Sequence, residues 1–284
     1  MMTIQNILND AVYALEAAGS PSARLDAEVL LAFCLKCDRL EFLKNPDREI
    51  NEDRLSEYRA LVTRRLREEP VAYITGRKNF WTFTLEVSND VLIPRPDTEI
   101  IVEEALDASR KTDAEVISIL DIGTGSGAIA LALAKEIPSA KVVATDISAA
   151  ALTLARKNAR SYNLEDRVDF LQGDLFDPVE GVFDVIVCNP PYIPEDEYRR
   201  LPAGVKDYEP RIALLAGPKG MEFYERLIDE APGHLRKNGW LLLEIGAKQE
   251  TPVCGLLGES GFYDTMAMRR DYAGHPRVIK ARRK

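Results

Sequence analysis

Histidine is scarce in this chain: among 284 residues there are two, His234 and His275. Chemistry that depends on an imidazole base or a histidine-rich metal centre therefore has little to work with. There are four cysteines, Cys34, Cys37, Cys188 and Cys254, too few for a disulfide framework in a chain of this length. Cys34-Leu-Lys-Cys37 has the spacing of half a zinc site, but no second CxxC and no HxxxH completes it. The pair also lies inside a helical apolar pattern rather than after a strand. It reads as two ordinary thiols, at least one of them buried. No run approaches the ~18 apolar residues of a membrane span. The opening MMTIQNILNDAVYALEAAG has neither a basic start nor a continuous apolar stretch, so the expectation is a cytoplasmic protein. Excess positive charge is missing as well. Lys and Arg number 37 against 46 Asp and Glu, a net charge of −9, the wrong sign for a duplex-DNA binder. The local clusters Arg64, Arg65 and Arg67, Arg269 and Arg270, and Arg282 to Lys284 read as solvated faces or tails.

The composition that remains, 46% hydrophobic and 29% charged, suits a soluble globular protein with a sizeable core, and the length suits two domains. Ile4, Ile7, Leu8, Ala11, Val12 and Leu15 follow the rhythm of one apolar helix face. Gly19-Ser20-Pro21 stops that helix. A second helical run covers Leu25 to Leu35, and Asn45-Pro46 breaks it off. Asn51 is a fitting N-cap for a third helix carrying Leu55, Tyr58, Leu61, Val62 and Leu66, which Pro70 ends. Residues 1–75 thus read as a small helical bundle. A hairpin-like, proline-rich connector spans 76–96: Phe80 to Val87 is aromatic and β-branched, and Ile93-Pro94-Arg95-Pro96 is forced to extend. Asp97-Thr98 is positioned to cap the helix that follows.

Residues 97–284 alternate strand and helix. Strands are expected at Val116–Leu120, Lys141–Thr145, Val168–Leu171, Phe183–Cys188 and Gly239–Ile245. Helices are expected at Ala128–Ala134, Ala149–Ala159 and Met221–Leu235. This is the pattern of a mostly parallel sheet covered on both faces, a Rossmann-like α/β fold. Phe262 to Lys284 turns at Gly274-His275-Pro276 and would add an antiparallel hairpin at the sheet edge.

Leu120-Asp121-Ile122-Gly123-Thr124-Gly125-Ser126-Gly127-Ala128 lies directly between a strand and a helix. Glycines there allow a tight turn and let a ligand lie against bare backbone. Asp146 ends the next strand, where a carboxylate can accept from both ribose hydroxyls. Together these indicate a nucleoside cofactor. Gly123, Gly125 and Ala128 also satisfy the dinucleotide pattern, but Asp121 would crowd a pyrophosphate while helping to hold a cationic methionine end. Gly127 completes G-x-G-x-G, and Asp174, with Leu175 after it, falls where adenine contacts are expected. These features favour S-adenosylmethionine over NAD.

Asn189-Pro190-Pro191-Tyr192 follows the strand that ends at Cys188 and is the most specific signal in the chain. Two prolines remove two backbone donors, leaving the Pro190 carbonyl and the Asn189 side-chain carbonyl to accept. A glutamine or adenine NH2 group presents two N–H donors and a delocalised lone pair. Paired acceptors hold that nitrogen and favour the positive charge that builds on it. Tyr192 offers a flat face to the planar group.

The combination resembles the amino-methyltransferases and, more narrowly, the release factor glutamine methyltransferase (HemK/PrmC) family. Further matching segments are Glu69 to Gly76, Phe80-Trp81, Ile93 to Glu99, Glu209-Pro210 with Ala213-Leu214, and Leu241 to Glu244, so the resemblance covers nearly the whole chain. It implies a class I methyltransferase domain with a seven-stranded sheet and an N-terminal substrate-docking domain. The implied reaction is N5-methylation of the glutamine in the Gly-Gly-Gln loop of class I peptide chain release factors, with S-adenosylmethionine as donor. By resemblance the cofactor would lie on Asp121, Gly123, Thr124, Gly125, Ser126, Gly127, Asp146, Asp174, Leu175 and Asn189, and the glutamine on Asn189, Pro190, Pro191 and Tyr192. In relatives an aromatic residue can stack on adenine near Leu175, which takes that place here. Three rivals remain in view. An adenine-N6 or other nucleic-acid amino-methyltransferase would share Asn-Pro-Pro-Tyr but lacks the basic face. An NAD-dependent dehydrogenase leaves that motif unexplained. A non-enzymatic binding protein on the same scaffold leaves both motifs without a purpose.

Overall fold

The computed structural model describes residues 2–112 and 114–284. They form two compact units, residues 2–77 with 202–208, and residues 78–201 with 209–284. Among the described residues no helix is long and apolar enough to cross a membrane.

The first unit is helical, with long helices Ile4–Ala17, Ala23–Leu35 and Glu52–Leu66 and short ones at Leu40–Lys44 and Val71–Thr75. The apolar periodicity buries Ile4, Ile7, Leu8, Ala11 and Leu15 on one face. Leu30 and Leu31 of the second helix are fully buried, each contributing about 2 kcal/mol of hydrophobic transfer energy. Asn51 caps the third long helix as expected, accepting from the Arg54 amide at 2.9 Å. Asp26, buried between helices, receives Arg65 Nε at 2.8 Å. Cys34 is buried and Cys37 half-buried, and both are free. No group of side chains suited to a metal occurs among the described residues. The segment 202–208 joins this unit: Tyr208 Oη donates to the Arg67 carbonyl at 2.8 Å.

The second unit is built on one seven-stranded sheet. Its strands are β1 (Ile117–Ile122), β2 (Ala140–Asp146), β3 (Val168–Gln172), β4 (Phe183–Cys188), β5 (Leu235–Glu244), β6 (Tyr263–Arg270) and β7 (Pro276–Arg283), in the order β6-β7-β5-β4-β1-β2-β3. The pairings from β5 through β4, β1 and β2 to β3 are parallel, and β7 lies antiparallel between β5 and β6. The final hairpin is therefore at the edge where the sequence placed it, and its turn closes with the Asp271 amide on the His275 carbonyl. β4 is buried along its whole length, as expected of a strand covered on both faces. Alternate residues feed two cores. Ile119, Val185 and Leu242 face helices Glu99–Ser109 and Ala128–Glu136. Leu120, Ile186, Leu241 and Leu243 face helices Glu222–His234 and Glu250–Ser260. Every parallel strand thus ends at the same edge of the sheet, with β1 and β4 adjacent at its centre, where α/β folds bind ligands.

The connector hairpin, Arg77–Phe80 with Phe83–Glu86, is tied to helix Ala149–Ser161: Asn158 bonds both the amide and the carbonyl of Glu86, and the Tyr162 ring meets Phe83 edge-on at 4.5 Å. One capping expectation fails. Pro96–Thr98 is a turn of 3-10 helix leading into Glu99–Ser109, and neither side chain caps it. The proline starts the 3-10 turn early, so Thr98 is already in the right-handed helical region and the extended N-cap geometry falls to Arg95, whose side chain makes no capping bond. The Thr98 hydroxyl is used elsewhere.

Candidate active site

A cleft of about 1120 Å³, its open mouth included, lies at the carboxyl ends of β1, β2 and β4. The turn after β1 forms its floor. Gly123 and Gly125 have φ of +72° and +55°, and a Cβ built on either meets no atom within 4 Å. The left-handed backbone requires glycine, and the space beside it is where a ligand can touch main chain. Gly127 differs. Its φ is +85°, and an added Cβ would lie 3.3 Å from Leu131 Cδ1. It lets the helix Ala128–Glu136 start close to its neighbours and is not on the cleft wall.

Asp146 ends β2 on the wall. Its Oδ2 accepts from the Gly125 amide and its Oδ1 from the Ser148 amide, both at 2.9 Å. A carboxylate has about four lone-pair sites, so acceptor capacity remains for ribose hydroxyls while the two amides fix its direction. Burial raises its pKa, and the backbone amides oppose that rise. Ile147, half-exposed, stands beside it on the wall. Leu175 lines the same region with φ of +44°, the kind of backbone strain that persists where the surroundings enforce it. An apolar wall of Ile147 and Leu175 beside an oriented carboxylate fits a nucleoside. Sequence reasoning missed Ile147, because an exposed apolar residue at a strand end carries no pattern of its own. Asp174 is also on the wall, with its carboxylate 2.9 Å from Arg226 Nη1.

Asp121 does not reach the cleft. It is fully buried beneath the loop, with Oδ2 accepting from Thr124 Oγ1 at 2.6 Å and from the Ala130 amide at 3.2 Å. Its Oδ1 is buried without a partner, and desolvation pushes its pKa up to about 7. Its visible role is to clamp the loop, and Thr124 and Ser126 present the wall in its place.

Asn189, Pro190 and Pro191 line the far side of the cleft. Asn189 Nδ2 donates to Thr98 Oγ1 at 3.3 Å. Tyr192 is not on the cleft wall. Its ring packs against the core on the β5 side, its carbonyl accepts from Gln249 Nε2 at 3.0 Å, and burial raises its hydroxyl pKa to about 12. It anchors the motif rather than lining the cleft. Arg95, Thr98, Pro210 and Phe223 complete the wall. Glu209, almost wholly buried, joins two distant segments: its Oε2 accepts from the Ile93 amide at 3.1 Å and its Oε1 pairs with Arg95 at 2.5 Å. That contact explains why both segments belong to one sequence pattern.

With the geometry in place, comparison with known proteins is decisive. Residues 6–76 match the PrmC N-terminal domain model and residues 98–200 the methyltransferase small domain model. A release factor glutamine methyltransferase of Rhodopirellula baltica is 41% identical, covering 98% of this chain and 95% of that protein. Its counterpart in Moorella thermoacetica is 43% identical, covering 100% and 99%. The chain belongs to the release factor glutamine methyltransferase family. Among solved structures, a Pyrococcus furiosus methyltransferase is 23% identical with TM-score 0.51, covering 78% of this chain and 96% of that one. A ribosomal protein L11 methylase of Lactobacillus delbrueckii is 22% identical with TM-score 0.50, covering 70% and 84%. At these identities the structural likeness speaks to the fold alone. Family membership makes the chain a methyltransferase. It also rules out the dehydrogenase reading of the glycine loop and leaves no reason to treat the chain as a mere binding protein.

Proposed function

We propose that this methyltransferase transfers the methyl group of S-adenosylmethionine to the side-chain N5 of the glutamine in the Gly-Gly-Gln motif of class I peptide chain release factors. The observation that carries the reading is the cleft itself: glycine backbone and Asp146 on one side, and an Asn189 whose amide nitrogen is already committed to Thr98 on the other. The Gly123–Ser126 backbone, Asp146, Ile147 and Leu175 would hold the cofactor, which when bound supplies an electrophilic methyl group. Asn189 Oδ1 and the Pro190 carbonyl accept the two N–H bonds of the glutamine amide. Acceptors fixed in advance cost no reorganisation and favour the positive charge that develops on nitrogen. No side chain on the wall is placed as a strong base, and none is needed, since an alkylated amide nitrogen gives up its proton readily to water at the open mouth.

The net charge of −9 supports a protein substrate over duplex DNA. The family's full-length match, including the N-terminal domain, supports release factors as the partner. The proposed compartment, the cytoplasm, is that of the substrate. The role given to Asn189 is tested by Asn189→Ala. Methyl transfer should be abolished while cofactor affinity stays within about threefold, since only a neutral hydrogen bond is at stake on that side. Loss of cofactor binding in step with turnover would move Asn189 into the cofactor site and remove the reading's support.

A further inference from the structure

Of the described residues that line the cleft, Phe223 is the only aromatic one, and no step of the proposed reaction uses it. It lies in the first turn of helix Glu222–His234. That helix runs directly into β5, which is parallel to β4, so its start stands at the carboxyl edge of the sheet. Helical side chains lean towards the N-terminus of their own helix, which directs the ring to the cleft end. Three residues on, Arg226 Nη1 meets the Asp174 carboxylate at 2.9 Å. Residues three apart share a helix face, so Phe223 and Arg226 stand on the side of the helix that meets the Asp174-Leu175 turn. Phe223 is half-buried and packs against the apolar cluster to which Leu175 and Phe176 belong.

We propose that Phe223 supplies the aromatic face of the adenine subsite, its ring stacking on the purine. The inference rests on the reading of the cleft as the S-adenosylmethionine site. With the ribose on Asp146 at the end of β2, the base extends to the wall that continues from it, formed by Ile147, Asp174 and Leu175. Ile147 and Leu175 are aliphatic, and neither gives a flat surface to a flat base. A purine gains from an aromatic partner beyond what apolar burial alone provides. Phe223 is the side chain on the wall with that shape. The turn that it stands beside also presents Asp174 at the edge of the same subsite. A carboxylate accepts on both oxygens, and Arg226 engages Oδ2, so Oδ1 keeps acceptor capacity for the amino group of the base.

The ring is held in place before any ligand arrives. On one side the Arg226–Asp174 pair ties its helix to the turn after β3. On the other, Gln249 Nε2 donates to the carbonyls of Gly220 and Tyr192 at 2.8 and 3.0 Å, joining the start of the helix to the Asn-Pro-Pro-Tyr segment. The Glu222 carboxylate closes the intervening turn, accepting from the Lys219 and Met221 amides at 3.0 and 2.9 Å. A side chain fixed in this way loses little freedom when a base stacks on it, which is where a preorganised site gains affinity.

The test uses the full-length protein and S-adenosylhomocysteine, the product form of the cofactor, as the probe. Its affinity is measured by calorimetry for wild type, Phe223→Ala, Phe223→Leu and Phe223→Tyr, and the ring protons of the bound adenine are followed by NMR. Phe223→Ala should weaken binding by about 10- to 100-fold. Phe223→Leu, with apolar bulk but no flat ring, should recover only part of that loss, and Phe223→Tyr should restore it. The adenine protons should lie upfield in wild type and Phe223→Tyr of their positions in Phe223→Leu, a ring-current signature that a merely structural role would not produce. Binding by Phe223→Leu within about twofold of wild type, with the adenine protons unmoved, would overturn the stack. So would a Phe223→Ala variant that keeps its cofactor affinity and instead raises KM for the release factor, which would place the ring on the glutamine side. Asp146→Ala separates the two levels of the argument. If it weakens binding and Phe223→Ala does not, the stack alone fails; if neither does, the cofactor lies elsewhere and the reading of the cleft fails with it.

Discussion

Replacing Asp121 by Asn should make the cofactor-free protein more stable at alkaline pH, although it removes a residue of the glycine-loop motif. The carboxylate is fully buried, one oxygen serves Thr124 and the Ala130 amide, and the other serves nothing. Its pKa stands at about 7 against an ordinary 3.8. A group whose native pKa lies above its unfolded value stabilises the fold when protonated. That contribution is complete below about pH 4 and is lost as pH rises through 7. The whole gap corresponds to about 4 kcal/mol, of which about 2 kcal/mol is lost between pH 5.5 and 8. Glu244, also near 7 for the same reason, should lose a similar amount over that window. The assay is urea unfolding at pH 5.5, 6.5 and 8 for wild type, Asp121→Asn and Glu244→Gln. Wild type should lose about 4 kcal/mol across the range and each variant about half of that. Asn is a near-isosteric copy of the protonated carboxyl but does not titrate in the unfolded chain, so the stability of the variant should match wild type only below about pH 4 and should already exceed it by about 2 kcal/mol at pH 5.5. A wild type with flat stability, or an Asp121→Asn variant losing as much as wild type, would refute the reasoning and imply that an unseen cation neutralises Asp121.

Three further perturbations separate ligand contacts from scaffolding. Asp146→Ala removes charged acceptors from the ribose position and should weaken S-adenosylmethionine by about 1–3 kcal/mol in calorimetry; unchanged affinity would count against that role. Gly127→Ala should cost about 1–2 kcal/mol of stability from left-handed strain, plus the crowding against Leu131. Gly125→Ala pays only the strain and should instead impair cofactor binding, so identical behaviour of the two would remove the distinction between floor and scaffold. Glu209→Ala strands the buried Ile93 amide and unpairs a part-exposed Arg95 that water can still solvate, and should lower unfolding stability by about 1–2 kcal/mol; a loss below about 0.5 kcal/mol would show that the 93–95 segment holds itself.

The sheet was readable from the sequence because fully buried parallel strands leave short apolar runs, and Phe183 to Cys188 is such a run. The order of the strands was not written in any one of them. The glycine loop, Asp146 and Asn-Pro-Pro-Tyr were legible because their chemistry requires those residue types at strand ends. Pairings across long sequence separations were not. Thr98 read as a helix cap, since Asp-Thr before an apolar run signals one, yet its side chain turns to Asn189. Asp121 and Tyr192 lie in the right motifs but off the cleft wall, because a motif preserves the residues that shape a site along with those that touch a ligand. Glu244 read as the end of an apolar strand, and only the fold shows that its carboxylate is buried with Oε2 unpartnered. The segment 202–208 carries no signal that it joins the helical unit.

The central claim is methylation of one glutamine nitrogen, and the most direct measurement is transfer of labelled methyl from S-adenosylmethionine to a purified class I release factor. Its Gly-Gly-Gln loop Gln→Ala variant and bare DNA serve as parallel acceptors. The account predicts label on the wild-type factor alone, located by peptide mapping to the glutamine side chain. Label on the Gln→Ala factor or on DNA would contradict it.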